Sequence, residues 1–445
     1  MAPQSTPTNP PSSILILGGG AFGLSTALAL TTHPSIPSTT RIHLIDRHAS
    51  PHPSIASMDS SRLVRADYAD AAYSRLANSA SALWRGSEWG AEGRYSESGF
   101  CLVADKGREE YVMKSLENAE RGEDGRQGRI VRLKGWEGIR EVVRELGGAT
   151  GEVGYLNRGS GWVDAERVMG WVRGRVEGSG RIEVSTGEVG ELVYEGDGRK
   201  VVGARLVGGW EVRADVTVMA MGAWSGKFVD LRGVASATGQ VLAYIDLSQE
   251  EQERYRKSPV LMNMSRGMFV VPCSQGHLKV ARHAYGYVNP VRIRHPDPLR
   301  RGEEITVSLP RTKMDDPELW IPDEGRKACR EALREMVPDL GERPFSQTRI
   351  CWYSDTPKGD YLITYHPRIE GLFLATGDSG HGFKMFPVLG DKIVDCLLGN
   401  TPDGFKDKWC WPKKPVDDLV WTEDGSRGGI KGMSLDAELR KGSRL

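Results

Sequence analysis

The sequence predicts an α/β chain, α+β overall, in which a unit built on a parallel sheet is interleaved with one built mostly on antiparallel strands. Three observations predict it. Near the start, SSILILGGGAFGLSTALALTTH followed by IHLIDR reads apolar strand, glycine turn, helix, second strand and terminal acid, the order of a βαβ unit. Late in the chain a second apolar strand, LFLATG, ends in glycines and runs into the helical pattern MFPVLGDKIVDCLLG. Between them, from Gln240 to about Gln347, the strands VLAYIDL, GMFVVPC, HLKVARHAYGY and EEITVSL accompany one charged helix, EGRKACREALREMV.

The opening MAPQSTPTNPPSS has no basic n-region and no apolar h-region, so residues 1–12 read as a disordered tail and not as a signal peptide. Gly18, Gly20 and Gly23 then occupy the G-x-G-x-x-G positions of dinucleotide binding. Gly18 permits the tight turn, Gly20 lets backbone approach a pyrophosphate, and Gly23 lets the helix lie close to the strand. Ala21 and Phe22 open that helix at the same site. Asp46 stands where an acid binds a ribose hydroxyl, with Arg47 after it. This pattern alone leaves NAD and FAD both open. In the polar loop that follows, Arg62 and Arg65 precede a helix, a place suited to anion contacts and equally to two solvated arginines.

Farther on, REEYVMKSLENAERGEDGRQGR reads as a solvated helical face. AERVMGWVRGRV has helical spacing with Asp164 as its N-cap. RIEVSTGEVGELVYEGDGRKVVGARLVGGWEVRAD, with its Gly-Asp-Gly and Gly-Gly turns, reads as a β-meander. VTVMAMGAWSGKF repeats the theme of strand, glycine and helix, so that Gly222 and Trp224 either pack on a cofactor or belong to the core. The densest stretch runs from Arg349 to Gly390. There Gly377-Asp378-Ser379-Gly380 joins a strand to a helix and aims backbone N–H groups at an anion or an electron-rich ring.

Composition narrows the class. The chain has 445 residues, room for two or three domain-sized units. Lys+Arg and Asp+Glu are both 59, so no basic balance points to nucleic acid. No apolar run of membrane-spanning length is present. Six cysteines without C-x-x-C spacing fit a reducing compartment and argue against a zinc site, and no metal is expected. The last three residues, Ser443-Arg444-Leu445, are a conservative variant of the S-K-L address, which predicts a peroxisomal location and an import receptor as partner.

Six motifs in order, GGGAFGLSTALAL, SSRLVR, MGAWSGK, LKVARH, CWYSDTP and SGHGFK, resemble the flavin-dependent secondary-amine oxidases. That family includes monomeric sarcosine oxidase, pipecolate and saccharopine oxidases, and the fungal fructosyl amino acid oxidases. The likeness runs from Ile14 to about Gly399. It implies a Rossmann-like FAD-binding domain interleaved with a mostly antiparallel-sheet substrate domain. The expected division is 13–85, 150–238 and 345–400 for FAD, 86–149 and 239–344 for substrate, and 401–445 as a C-terminal extension.

The resemblance also implies roles. Cys351 matches the cysteine joined covalently to the flavin, and Lys279 the lysine that activates oxygen. Arg65 and Lys384 match the pair that grips the substrate carboxylate, while Tyr353 and His283 match an active-site tyrosine and histidine. Ser61, Arg62, Gly222, Trp224, Asp378, Gly380, His381, Gly382, Phe383 and Lys384 are expected around FAD with the residues of the first glycine turn. Fructosyl amino acid oxidases carry a glutamate at the position of His283, which favours a sarcosine-like, pipecolate-like or saccharopine-like amino acid here. The expected partners are therefore a small amino acid and molecular oxygen, with no nucleic acid and no membrane, acting on a monomer. The rival readings are a fructosyl amino acid oxidase, a tailoring amine oxidase of natural-product synthesis, and a flavin dehydrogenase or silent flavoprotein.

Overall fold

The computed structural model describes residues 10–49 and 52–442. In chain order, the elements that frame the site are β1 (Ser13–Leu17), α1 (Ala21–Leu30), β2 (Arg41–Asp46), β3 (Ser236–Asp246), β4 (His277–Arg282), β5 (Gln347–Asp355), β6 (Leu372–Thr376) and α2 (Phe386–Leu397).

The first sheet runs in the order Leu362–Tyr365, β6, Val216–Met219, β1, β2, Glu183–Thr186. All its pairs are parallel except that of Leu362–Tyr365 with β6. β1 and β6 are buried along their whole length, which is why they are continuous apolar runs instead of alternating ones. α1 and α2 pack on this sheet against each other. A Cβ at Gly390 would stand 1.9 Å from the Ser25 carbonyl oxygen, so only glycine allows the two helices to meet this closely.

The second sheet has ten strands and is antiparallel except where Val260–Asn263 meets Phe100–Ala104 and Tyr287–Val288 meets Met433–Ser434, both parallel. β3 pairs with β5 from Ser236 to Tyr244, and with β4 from Leu242 to Asp246. Asp323–Met336, the expected charged helix, closes the outer face by burying Cys329, Leu333 and Met336 with Val241 and Val280. The inner face turns toward the parallel sheet and forms one wall of the site. Ala165–Gly178 is helical as expected, and the Asp164 carboxylate accepts from Arg167 N at 3.0 Å.

Several expectations shift. Ser12, read as disordered tail, is anchored by donating to Asp215 from its N (2.9 Å) and Oγ (2.6 Å). The first strand of the expected meander, Glu183–Thr186, pairs parallel with β2, and only the other three strands form a separate antiparallel sheet. Alternation reads alike in both settings. What separates them is long-range: Gly187 N donates to the Asp46 carbonyl at 2.8 Å and keeps the chain on the edge of the parallel sheet. Val153–Asn157 and β5 hydrogen-bond into the second sheet, on the substrate side of the divisions read at 150 and 345. Among the described residues, no helix is long and apolar enough to cross a membrane. Ser443-Arg444-Leu445 and the first nine residues lie outside the described residues.

Candidate active site

A cavity lies between the C-terminal ends of the parallel strands and the inner face of the second sheet. One end is built by the first glycine turn. Gly18 has φ +105°, and a Cβ there would sit 2.5 Å from the Ala220 carbonyl oxygen. A Cβ at Gly23 would sit 1.8 Å from the Gly18 carbonyl oxygen, so α1 seats directly on the turn. Gly20 is the N-cap of α1 and supplies no side-chain cap; Ala21 N donates to Ser57 Oγ at 2.9 Å, and the helix N-terminus faces the cavity as an anion-binding end. Both Asp46 oxygens accept from backbone, Oδ2 from Gly19 N at 2.5 Å and Oδ1 from His48 N at 2.9 Å. The acid therefore braces the turn while facing the cavity. Arg47 lies over the Trp224 ring at 4.7 Å from its centroid. A helix N-terminus, a turn that only glycine fits and an acid at the strand end together suit a dinucleotide such as FAD.

Strand alternation builds the opposite wall. Tyr244 is registered with Lys279, Gln240 with Cys351 and Thr238 with Tyr353, so these side chains share one face. Lys279 is buried, and its Nζ donates to the Ser61 carbonyl at 2.7 Å and to Asp59 Oδ2 at 3.1 Å. Arg62 donates to the same carboxylate oxygen, and the Tyr244 hydroxyl donates to Asp59 Oδ1 at 2.6 Å. Burial alone would raise the Asp59 pKa, yet Lys279, Arg62 and Arg349 hold its carboxyl well below the usual range. Burial, then Arg62, pulls the Lys279 ammonium down to about 8 against the attraction of Asp59. Two cations thus share one anion, and the cluster keeps net positive charge beside the cavity. Cys351 is buried, with Sγ 3.6 Å from Arg62 Nη2.

A second cationic cluster forms where the Gly377–Gly380 turn meets the loop after Arg62. Lys384 is buried and donates to the Tyr68 hydroxyl at 3.0 Å and to the His381 carbonyl at 3.3 Å. Arg65 is buried between the Tyr68 and Phe100 rings and donates to the Asp67 carbonyl. Burial and the nearby Arg65 drive the Lys384 pKa far down. His381 is locked, with Nε2 2.7 Å from the Gly359 carbonyl and Nδ1 3.0 Å from the Tyr68 hydroxyl. His283 has Arg427 Nη1 at 2.8 Å from Nδ1, and burial with that guanidinium keeps the imidazole neutral. Arg427 also donates to Asp355 Oδ1 at 2.7 Å and to the Ser379 carbonyl at 2.8 Å. Ser379 itself has φ +43°, a left-handed conformation held by these neighbours. At Gly380 a Cβ would stand 2.2 Å from the Tyr353 ring, so the turn is pressed onto that side chain. Burial raises the Asp378 carboxyl to about 6.

The cavity wall brings together nearly every residue singled out in the sequence. Gly18, Gly20, Ala21, Phe22, Asp46 and Arg47 line it at one end, with Gly222 and Trp224 beside them. Ser61, Arg62, Arg65, Lys279, His283 and Tyr353 line it from the loop and the second sheet. Asp378 and the run Gly380, His381, Gly382, Phe383 and Lys384 complete it. Gly23 and Cys351 stand behind the wall: Gly23 is spent on packing α1, and Cys351 is covered on the side of Arg62. Sequence reasoning missed Asp59, Tyr68 and Arg427. Asp59 carried one local sign, an acid three residues before Arg62. Arg427 carried none beyond its glycine-flanked setting, since its partners lie 144 and 72 residues away.

The comparisons with known proteins agree with this geometry. The family model described as FAD dependent oxidoreductase matches residues 13–396. An amino acid oxidase of Aspergillus flavus is 31% identical over 449 residues, covering 87% of this chain and 93% of the relative. The L-saccharopine oxidase of Schizosaccharomyces pombe is 27% identical over 428 residues, covering 92% and 95% respectively. Among solved structures, fructosyl amine:oxygen oxidoreductase (Amadoriase I) from Aspergillus fumigatus superposes with a TM-score of 0.81 at 29% identity, over 98% of this chain and 97% of that one.

Proposed function

Because the chain belongs to the FAD-dependent oxidoreductase family, we propose that it oxidises a secondary amine in an amino acid (N-methyl, N-alkyl or cyclic) to an imine, with oxygen as electron acceptor. The observation that carries this reading is the presence of two separate cationic clusters in the walls of one cavity, Lys279 with Arg62 in one and Arg65 with Lys384 in the other. FAD held in this cavity would supply a two-electron acceptor for a hydride from the C–H next to nitrogen, with oxygen as the final acceptor and hydrogen peroxide as its product.

The residues have complementary tasks. Gly18, Gly20 and the N-terminus of α1 hold the pyrophosphate. Arg65 and Lys384 bind the substrate carboxylate, the guanidinium through a planar fork and Lys384 as a point charge once the bound anion offsets the burial and the Arg65 field that lower its pKa. Their field, together with Arg427, disfavours a protonated substrate amine and so leaves its nitrogen lone pair available. His283 stays neutral in that field, so it adds no charge of its own there. Lys279 supplies a fixed positive charge where electrons are transferred to oxygen, in a site from which water is excluded. Cys351 is the attachment point proposed for FAD, supported by its place on the sheet face shared with Tyr353 and Tyr244.

The test is an anaerobic absorbance titration of the purified protein with sarcosine, L-pipecolate, L-saccharopine and a fructosyl amino acid. Bleaching of the flavin by one of the first three is the expected result. Bleaching by the fructosyl compound alone would replace this reading with deglycation, the alternative that the likeness to Amadoriase I favours. Product analysis separates a released imine from one captured by an aromatic ring in a tailoring reaction. Peroxisomal import is proposed from Ser443-Arg444-Leu445, and a fluorescent fusion that stays diffuse with the tripeptide intact ends that part.

A further inference from the structure

Among the described residues, Asp59 is the one buried anion in contact with the first cationic cluster, yet it does not line the cavity. Its side chain is 0% exposed, and four donors surround it: Lys279 Nζ, Arg62 Nη1, the Tyr244 hydroxyl and Ser60 N. Both cations it contacts do line the cavity. We propose that Asp59 is a positioning residue that acts through Lys279, fixing where the ammonium sits and keeping it charged. The proposal rests on the role given to Lys279 above.

The charges around Lys279 account for this. From the loop it faces Arg62, a like charge. From β3 it faces the Tyr244 phenol, and from β5 come Arg349, which acts on Asp59, Tyr353, which acts on Arg62, and Cys351, which acts on both Arg62 and Lys279. The Phe269 ring centroid lies 5.9 Å from Nζ. Among these groups Asp59 alone is an anion in direct contact with the ammonium. Without its charge, Lys279 would keep a hydrogen bond to the Ser61 carbonyl but would face Arg62 in a dry site. It would then lose its proton at lower pH. A purely structural ion pair, pinning the loop of residues 54–62 to the sheet, would hold the fold together without affecting chemistry, so the experiment has to read both.

The first readout is stability, independent of cofactor chemistry: a double-mutant cycle of Asp59→Asn and Lys279→Met by denaturant unfolding. We expect the two changes to be coupled by about tenfold or more in the unfolding equilibrium. The second is the pH dependence of reoxidation of the reduced holoenzyme by oxygen. In Asp59→Asn the pH above which reoxidation slows should fall by about one unit or more, and Asp59→Glu should restore the wild-type profile. Additive stabilities, or coincident profiles for Asp59→Asn and wild type, overturn the proposal. If Asp59→Asn does not fold, Tyr244→Phe decides. Loss of the phenol's hydrogen bond concentrates charge on the carboxylate, so the limb should move to higher pH; a limb that stays in place overturns the proposal. A Lys279→Met enzyme that reoxidises at the wild-type rate gives a different failure: it removes the role of Lys279, and the proposal with it.

Discussion

Two buried lysines, Lys279 and Lys384, illustrate how surroundings assign different work to one side chain. Lys279 has a carboxylate partner and keeps its charge near neutral pH, whereas Lys384 contacts a hydroxyl and a carbonyl beside Arg65. Lys279→Met should leave reduction by substrate near normal and slow reoxidation by about 10²-fold, as loss of one preorganised charge does; rapid mixing of the reduced enzyme with oxygen measures it. Lys384→Met should act on the other half-reaction, lowering kcat/KM for the amino acid by about 10-fold or more through loss of a charge-assisted contact, with reoxidation unchanged. Cys351→Ser should release the flavin on acid precipitation. Colour left in the pellet would rule out Cys351 as the attachment point.

At the scale of elements, the site depends on close approaches. α1 seats on its turn because Gly23 has no side chain, and Gly23→Ala should cost about 1–3 kcal/mol, read as a lower denaturant midpoint together with loss of bound flavin. The segment after α2 contributes as much as the strands do, since it carries Arg427 to Asp355, Ser379 and His283. Arg427→Ala should cost about 3–5 kcal/mol, because it strands the Asp355 carboxylate in the core with the Thr238 Oγ1 bond at 2.6 Å and no cation beside it among the described residues. This segment also marks where the sequence stopped being readable. Strand, glycine turn and helix are written in contiguous residues, so LFLATG and the G-x-G-x-x-G run announce themselves. The partners of Asp59 and Arg427 are set by how distant strands register, and Lys279 lies 220 residues from Asp59. No local pattern encodes such a pairing, and the rest of 401–442 accordingly read as a plain extension.

For the whole molecule, opposing proton linkages shape its response to acid. His283 and His381 are held neutral, with pKa values well below 6.5, by burial first and then by Arg427 and Lys384 respectively. The unfolded chain binds protons at these two sites below about pH 6.5 and the folded chain does not, so stability should fall as pH drops through that value. Asp378 runs the other way. Raised from 3.8 to about 6, it holds a proton in the folded state that the unfolded chain has released, so its contribution grows as pH falls from 6 toward 3.8. Asp378→Asn should therefore steepen the acid-side loss of stability, measured by thermal melts from pH 7 to pH 4. An unchanged slope would mean that Asp378 is already ionised across that range. The buried position of Arg427 has a further consequence, in time instead of space. A ribosome makes the glycine turn first and Arg427 only after more than four hundred residues, so His283 and Asp355 wait for their partner while 144 and 72 further residues are made. A nascent chain can pair β1 with β2 early, yet β6 joins the parallel sheet only from residue 372, and the end of the cavity that Arg427 holds is completed later still. Under the function proposed above, the chain should therefore stay inactive until Arg427 has been made.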